Sequence, residues 1–236
     1  MTFWPLLPKD IIDDQRVAPR RALSRARAGL ETMRATLRLI AGEPIRNSNE
    51  HDSNLCCLDR GAARLSTAGT AKSGQIVDFL VPGDFFVVPT LKESFVIEAT
   101  IDDTIVVSYA EFPIRQIHAA KVFRKRSYDE VIISTAERFQ RQILILGKPT
   151  DAGKCLSFLR DMADRLKCCR GNPKLLPICV SDIANYLAMT PSRVEELLLC
   201  CERLGAVNFV DRSCVMIINP KLLTRISSQD FPFADD

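Results

Sequence analysis

Apolar residues near the end of the chain recur at helical spacing in two short runs separated by a tight turn. Ile183, Leu187, Met189, Val194 and Leu197 fall where two crossing helices bury side chains against each other, and Ala184 is small where they touch. Ser181 is placed to cap the first helix, with Asp182 in its first turn favoured by the helix dipole. Thr190 is placed to cap the second, with Pro191 at the first helical position, where no backbone donor is lost. Residues 207–210 and 214–218 are short β-type runs separated by Asp211, Arg212 and Ser213, so a hairpin is expected after the second helix. Two helices followed by a hairpin predict a winged helix-turn-helix. For residues 180–204 alone, the alternative is an ordinary helical hairpin in an enzyme core.

Upstream the pattern changes twice. Short β-type runs recur at 55–58, 63–67, 75–80, 85–88, 95–101 and 105–109, with Gly61, Gly69, Gly74 and Pro82–Gly83 at turn positions. They predict an antiparallel sandwich or roll. Tyr128, Ile132, Thr135, Phe139, Gln142 and Leu146 then alternate at spacings of four and three, forming one seam of a helix that starts near Ser127. The seam suits pairing with a copy of itself; packing against the β body is the alternative. Gly147 and Pro149 end this helix. Thr150 is placed to cap another that runs to about Lys167, with Cys155, Leu156, Leu159, Met162, Ala163 and Leu166 on one face. Before the β runs, residues 16–38 carry seven arginines among alanines and leucines, read as a solvated helix or arm, with a nucleic-acid arm as the alternative.

The fold class expected is therefore α+β. It comprises an N-terminal arm or helix (1–38), an antiparallel β-roll sensor domain (39–126), a dimerisation helix (127–147) and a winged helix-turn-helix domain (148–236). With 236 residues and 47% hydrophobic content, the chain is able to bury two modest cores. No apolar run approaches a membrane span, and the first residues do not read as a signal peptide, so a cytoplasmic location is expected. A net charge of +3 says little about a nucleic-acid partner.

The nine cysteines include the adjacent pairs Cys56–Cys57, Cys168–Cys169 and Cys200–Cys201, a spacing unlike that of zinc sites, so reduced and mostly buried thiols are expected. Neither histidine, His51 nor His118, has ligand-like spacing. No metal and no cofactor are predicted. Residues 147–155 read GKPTDAGKC, which has one residue too many between its glycines for a phosphate-binding loop and Cys155 where Ser or Thr should bind Mg²⁺. Nothing resembles a paired acid and base or an activated nucleophile, so no enzyme is expected.

Residues 58–65 (LDRGAARL), 75–86 (QIVDFLVPGDFF), 144–166 (LILGKPTDAGKCLSFLRDMADRL) and 176–187 (LPICVSDIANYL) occur in an order that resembles the CRP/FNR superfamily of bacterial transcription regulators. The kind resembled is FNR/FixK-like, with a divergent recognition helix. The resemblance extends from about Leu39 to Leu223. It implies a cyclic-nucleotide-binding-like roll that senses a signal and a long helix that pairs two subunits. It also implies a C-terminal domain that reads palindromic double-stranded DNA as a homodimer, with RNA polymerase as a further partner. Dimeric readers space their recognition helices by about 34 Å, one turn of duplex, so the long helix would set operator spacing.

The departures from the family pattern are specific. Residues 86–95 have only Lys92 and Glu93 as charged residues, and no Arg, where cyclic-nucleotide binders carry an acid followed by Arg with Ser or Thr. The first cysteine is Cys56, in a predicted strand, whereas iron–sulfur members have closely spaced N-terminal cysteines. His51 and His118 are the only side chains of the type that serves as a haem axial ligand through imidazole. In the recognition helix, the family's Glu, Ser and Arg positions correspond to Ser192, Glu195 and Glu196, so a guanine-reading Arg has become an acid. Ala188 stands where the turn usually has Gly.

The outward face of the second helix is expected to hold Ser192, Glu195, Glu196, Leu199 and Arg203, and its inward face Val194, Leu197, Leu198 and Cys201. Ser192, Arg193 and Glu196 are the candidate base contacts, and Thr190 and Arg203 the candidate phosphate contacts. Cys179, just before the first helix, is the candidate redox site, where oxidation would add bulk or polarity near phosphate. The alternative function is an interaction protein that heterodimerises with a related regulator and blocks DNA binding through its acidic helix.

Overall fold

The computed structural model describes residues 34–45, 55–67, 74–88, 95–109, 118–166, 174–211, 214–217 and 219–228. Among the described residues seven strands come first: β1 (Arg34–Leu39), β2 (Leu55–Arg60), β3 (Ala63–Thr67), β4 (Ile76–Leu80), β5 (Phe85–Val87), β6 (Phe95–Ala99) and β7 (Thr104–Tyr109). They form two antiparallel sheets, β1-β7-β2-β5 and β4-β3-β6, and side chains from both meet in a core that includes Leu58, Leu80, Phe86, Ile97 and Val106. This is the expected β-roll. Turn chemistry sets its corners. Gly61 has φ +85, and a Cβ there would fall 2.5 Å from the Thr104 hydroxyl.

Two departures concern element starts. Strand β1 occupies the end of the segment read as an arginine-rich arm: Arg34, Thr36 and Arg38 alternate with Ala35, Leu37 and Leu39, and the strand pairs with β7 from Arg34↔Tyr109 to Leu39↔Thr104. The arginines draw attention to charge and hide a period of two. Helix α1 spans His118–Leu146, nine residues earlier than the seam suggests. Its first turns, HAAKVFRKR, carry helix propensity from Ala, Lys and Arg but no apolar repeat, so periodicity alone misses them.

Helix α2 (Asp151–Arg165) is capped by Thr150, whose hydroxyl accepts from the Gly153 amide. The six apolar residues singled out from the sequence, five in the helix and Leu166 at its C-cap, are buried. The GKPTDAGKC segment is thus a helix–turn–helix-start junction, without the preceding strand that a phosphate loop requires. Strand β8 (Lys174–Leu176), helices α3 (Val180–Leu187) and α4 (Pro191–Arg203), strands β9 (Val207–Asp211) and β10 (Cys214–Ile217), and helix α5 (Pro220–Ser228) complete the order. The hairpin β9–β10 follows α4 as expected, and β8 joins its β10 edge to give the sheet β8-β10-β9.

The second core is built around α2 to α5, yet it takes Ile76, Phe79 and Val81 from the roll. Phe79, Phe158 and Tyr186 pack with ring centroids 5.3 to 6.0 Å apart, joining β4, α2 and α3. Among the described residues no helix is long and apolar enough to cross a membrane.

Candidate nucleic-acid interface

Helix α3 starts two residues earlier than a Ser181 cap would place it. Cys179 is the N-cap and makes no side-chain capping bond, while Ser181 lies in the first turn and shares a 3.0 Å hydrogen bond with the Cys179 thiol. Asp182 is in the first turn as expected, but its carboxylate faces the roll, 2.7 Å from Arg64 Nη1. That contact is one of several fastening α3 to the strands. Asn185 accepts from the Ile76 amide through Oδ1 at 2.7 Å and donates to the Gly74 carbonyl through Nδ2 at 3.3 Å, while Gln75 Nε2 donates to the Asn185 carbonyl at 2.7 Å. The Asn185 amide therefore satisfies two backbone groups at the start of β4. No sequence pattern separates this Asn from an ordinary surface one.

The turn between the helices is a left-handed residue. Ala188 has φ 55 and ψ 47 and closes α3 through its amide to Ala184 and Asn185, which is the strain expected from its replacing Gly. Thr190 then caps α4, its hydroxyl accepting from the Arg193 amide at 3.3 Å, with Pro191 at the first position. Val194, Leu197, Leu198 and Cys201 are buried, whereas Ser192, Glu196, Leu199 and Arg203 are exposed and Glu195 is half-buried. The residues thus sort between the two faces as the helical period predicts.

The charges on that face are organised. Arg193 Nη1 donates to Glu196 Oε2 at 2.9 Å, and its Nε lies 3.6 Å from Asp151 Oδ2 at the start of α2. Arg203 Nη2 donates to the Cys200 sulfur at 3.0 Å. The Cys179 thiol is half-buried, and burial together with the nearby Asp182 carboxylate raises its pKa above the usual value. Oxidation of a thiol begins from the thiolate, so this environment works against the redox role suggested by position alone. Cys56 and Cys201 are buried, with pKa values raised to about 11 and about 12. Among the described residues no cluster of His, Cys, Asp and Glu is arranged to hold a metal ion. His51 and the side chain of His118 lie outside them.

A second exposed surface runs along α1. Ile132, Ile133, Ile143 and Leu144 have 63%, 58%, 70% and 70% of their surface exposed, and Thr135, Phe139, Gln142 and Leu146 are only partly so. The side chain of Tyr128 lies outside the described residues. At about 100° per residue, Thr135 and Gln142 sit between this face and the buried one, and the outward repeat is Ile132, Ala136 and Ile143, exposed, with Phe139 and Leu146, half-buried. Its spacing is again four and three, but it contains no polar residue.

The opposite side of α1 buries Val131, Arg138 and Ile145. Arg138 Nε meets Asp78 Oδ2 at 2.6 Å, and Arg165 of α2 bridges Asp78 at 3.5 Å and Asp84 at 2.6 Å. Burial pushes the Asp78 carboxyl up, against the pull of Arg165 and Arg138. This network ties α1 and α2 to the roll, and it escapes a sequence reading because its members lie up to 87 residues apart.

No family model matches the chain. It is 25% identical over 173 residues to the nitrogen fixation regulation protein FixK of Bradyrhizobium diazoefficiens, covering 72% of this chain and 73% of that one. The FixK protein of Rhizobium meliloti is 24% identical over 167 residues, covering 70% and 74%. The fold is similar to that of FixK2 from Bradyrhizobium japonicum, with a TM-score of 0.64 and 20% identity over 82% of this chain and 96% of that one. It is similar also to a CRP/FNR-family transcriptional regulator from Thermus thermophilus, with a TM-score of 0.57 and 15% identity over 83% and 99%. The chain is thus similar in sequence to two FixK regulation proteins and in fold to FixK2 and a regulator of the CRP/FNR family.

Proposed function

We propose that the chain binds a two-fold-symmetric operator in double-stranded DNA as a homodimer, with α3 and α4 as a helix-turn-helix and the β8–β10 sheet as its wing. The observation that carries this reading is the division of α4. Its apolar side is sealed into the core, while Ser192, Glu196 and Arg203 project from a helix whose N-terminus is capped and open. In this reading Ser192, Arg193 and Glu196 meet base edges, and Thr190 and Arg203 meet phosphates.

The roll, from β1 onward, is the sensor, α1 is the dimerisation helix, and the segment from 148 onward reads DNA. A second copy of α1 is the occupant that suits the Ile132–Leu146 repeat, because an all-apolar seam at coiled-coil spacing buries most completely against itself. RNA polymerase is the expected further partner, and the cytoplasm the expected place of action. Selection from a randomised duplex pool with the purified chain tests the reading: enrichment of a palindrome is expected, and enrichment of no motif overturns it.

A further inference from the structure

The helix-turn-helix meets the roll through two kinds of contact. The first is apolar: Ile76, Phe79 and Val81 enter the core of α2 to α5, where the Phe79 ring packs against Phe158 and Tyr186. Apolar burial is non-directional, so it holds the two parts together without fixing the angle between them. The second kind is directional. Arg64 Nη1 of β3 donates to Asp182 Oδ1 at 2.7 Å, while Glu98 of β6 holds the same guanidinium through Nη2 at 3.0 Å. The Ile76 amide at the start of β4 donates to Asn185 Oδ1 at 2.7 Å, and the Thr100 hydroxyl, just after β6, donates to the Pro177 carbonyl at 3.0 Å. The sheet β4-β3-β6 therefore grips residues 177–185 at three places. Asp182 and Asn185 are one turn apart on the same side of α3, so their two bonds hold that helix along its length as well as about its axis.

A dimeric reader needs its two recognition helices about 34 Å apart, and one base pair is about 3.4 Å of that distance. Pairing through α1 sets where two subunits meet. The place of α4 depends in addition on the angle of its domain at the roll, because only the short junction 147–150 joins α1 to α2. We propose that Arg64, Asp182 and Asn185 are positioning residues that set the spacing between operator half-sites by fixing α3 against the roll. The inference rests on the DNA reading above and names what sets its geometry. The three side chains bond across the contact between roll and α3, so they act on DNA only through the placement of α4. Asp182 is buried and Asn185 half-buried, which strengthens both bonds relative to the same pairs in water.

Operator selection with the full chain and its Asn185→Ala, Arg64→Met and double variants provides the test. It is read as the distribution of spacer lengths between half-sites, well below the thermal unfolding midpoint of each variant. The wild type is expected to enrich a palindrome with one spacer length. Losing one or two of these bonds should lower the preference for that spacer over spacers one base pair longer or shorter roughly tenfold, with base preferences inside each half-site unchanged. A merely structural role would lower the unfolding midpoint and leave the spacer alone. Arg64 is half-buried, so Arg64→Met supplies the reading if Asn185→Ala does not fold. One unchanged spacer in the folded variants overturns the positioning role and leaves DNA binding intact. Broadening accompanied by lost base preference inside the half-sites overturns it too, because α4 itself would then have loosened. Enrichment of no palindrome by the wild type overturns both.

Discussion

Helices α1 and α4 each turn one side to solvent, and the two sides are opposite in chemistry. The α1 face presents Ile132, Ile133, Ile143 and Leu144; the α4 face presents Ser192, Glu196 and Arg203 around a single exposed Leu199. A cluster of large apolar side chains left in water is stable only when something dry covers it, whereas a polar face with oriented charges suits the wet, charged groove of a duplex. Their inner sides differ too. Helix α4 is seated by Val194, Leu197, Leu198 and Cys201, and α1 is seated partly by a buried charge, Arg138 on Asp78. Helix α4 thus rests on an apolar fit with the partly exposed Arg193–Asp151 pair beside it, and α1 on fit plus a buried ion pair.

The largest effect should come from breaking the α1 face. In Ile143→Glu/Leu144→Glu, the proposed dimer would bring like charges together near its two-fold axis. Sedimentation should show monomers, and operator affinity should fall roughly a hundredfold or more as two-site binding is lost. Both residues are exposed, so unfolding of the single subunit should change little. A variant that stays dimeric places the pairing surface elsewhere and removes the contrast with α4.

A smaller effect should separate the inner sides. Asp78→Ala leaves Arg138 buried without its carboxylate and should cost about 3–5 kcal/mol in urea unfolding. Leu197→Ala on α4 should cost about 2–5 kcal/mol by leaving a cavity. The two mechanisms are distinguished by repair. Asp78→Leu combined with Arg138→Met should recover much of the ion-pair loss, since an apolar pair removes the uncompensated Arg138 charge while Arg165 keeps its closer partner Asp84. If the double variant is as unstable as Asp78→Ala, the ion pair is not what seats α1.

The same contrast explains what can be read from residues alone. Helix α4 is legible, cap, turn and both faces, because its inward contacts are local in sequence and apolar, and period 3.6 reports them directly. The roll strands are legible from alternation and glycine corners, apart from β1, whose arginines mask its alternation. The α1 seam read from the sequence shares Ile132, Phe139 and Leu146 with the outward repeat and lies about 40° from it around the helix. Tyr128, Thr135 and Gln142 fit the four–three rule as well as Ala136 and Ile143 do, and only the position of the buried Arg138 orients the helix. Asn185, Arg64 and Asp78 are illegible for one reason: each is a polar side chain whose partner is distant in the chain, so nothing nearby distinguishes it from a solvated residue.

The smallest effect concerns the turn that aims α4. Ala188 holds a left-handed backbone that costs an L-residue about 1 kcal/mol or more, and glycine would remove the cost while adding freedom to the unfolded chain. Those terms oppose each other, so Ala188→Gly should raise stability by only about 0.5 kcal/mol, visible as a slightly higher urea midpoint with an unchanged slope. Operator preference should not change, because the Thr190 cap and the buried side of α4 fix the helix independently of the turn residue. A shift in preferred bases on Ala188→Gly would mean that turn strain sets the angle of α4, making its outward face adjustable where the α1 face is fixed.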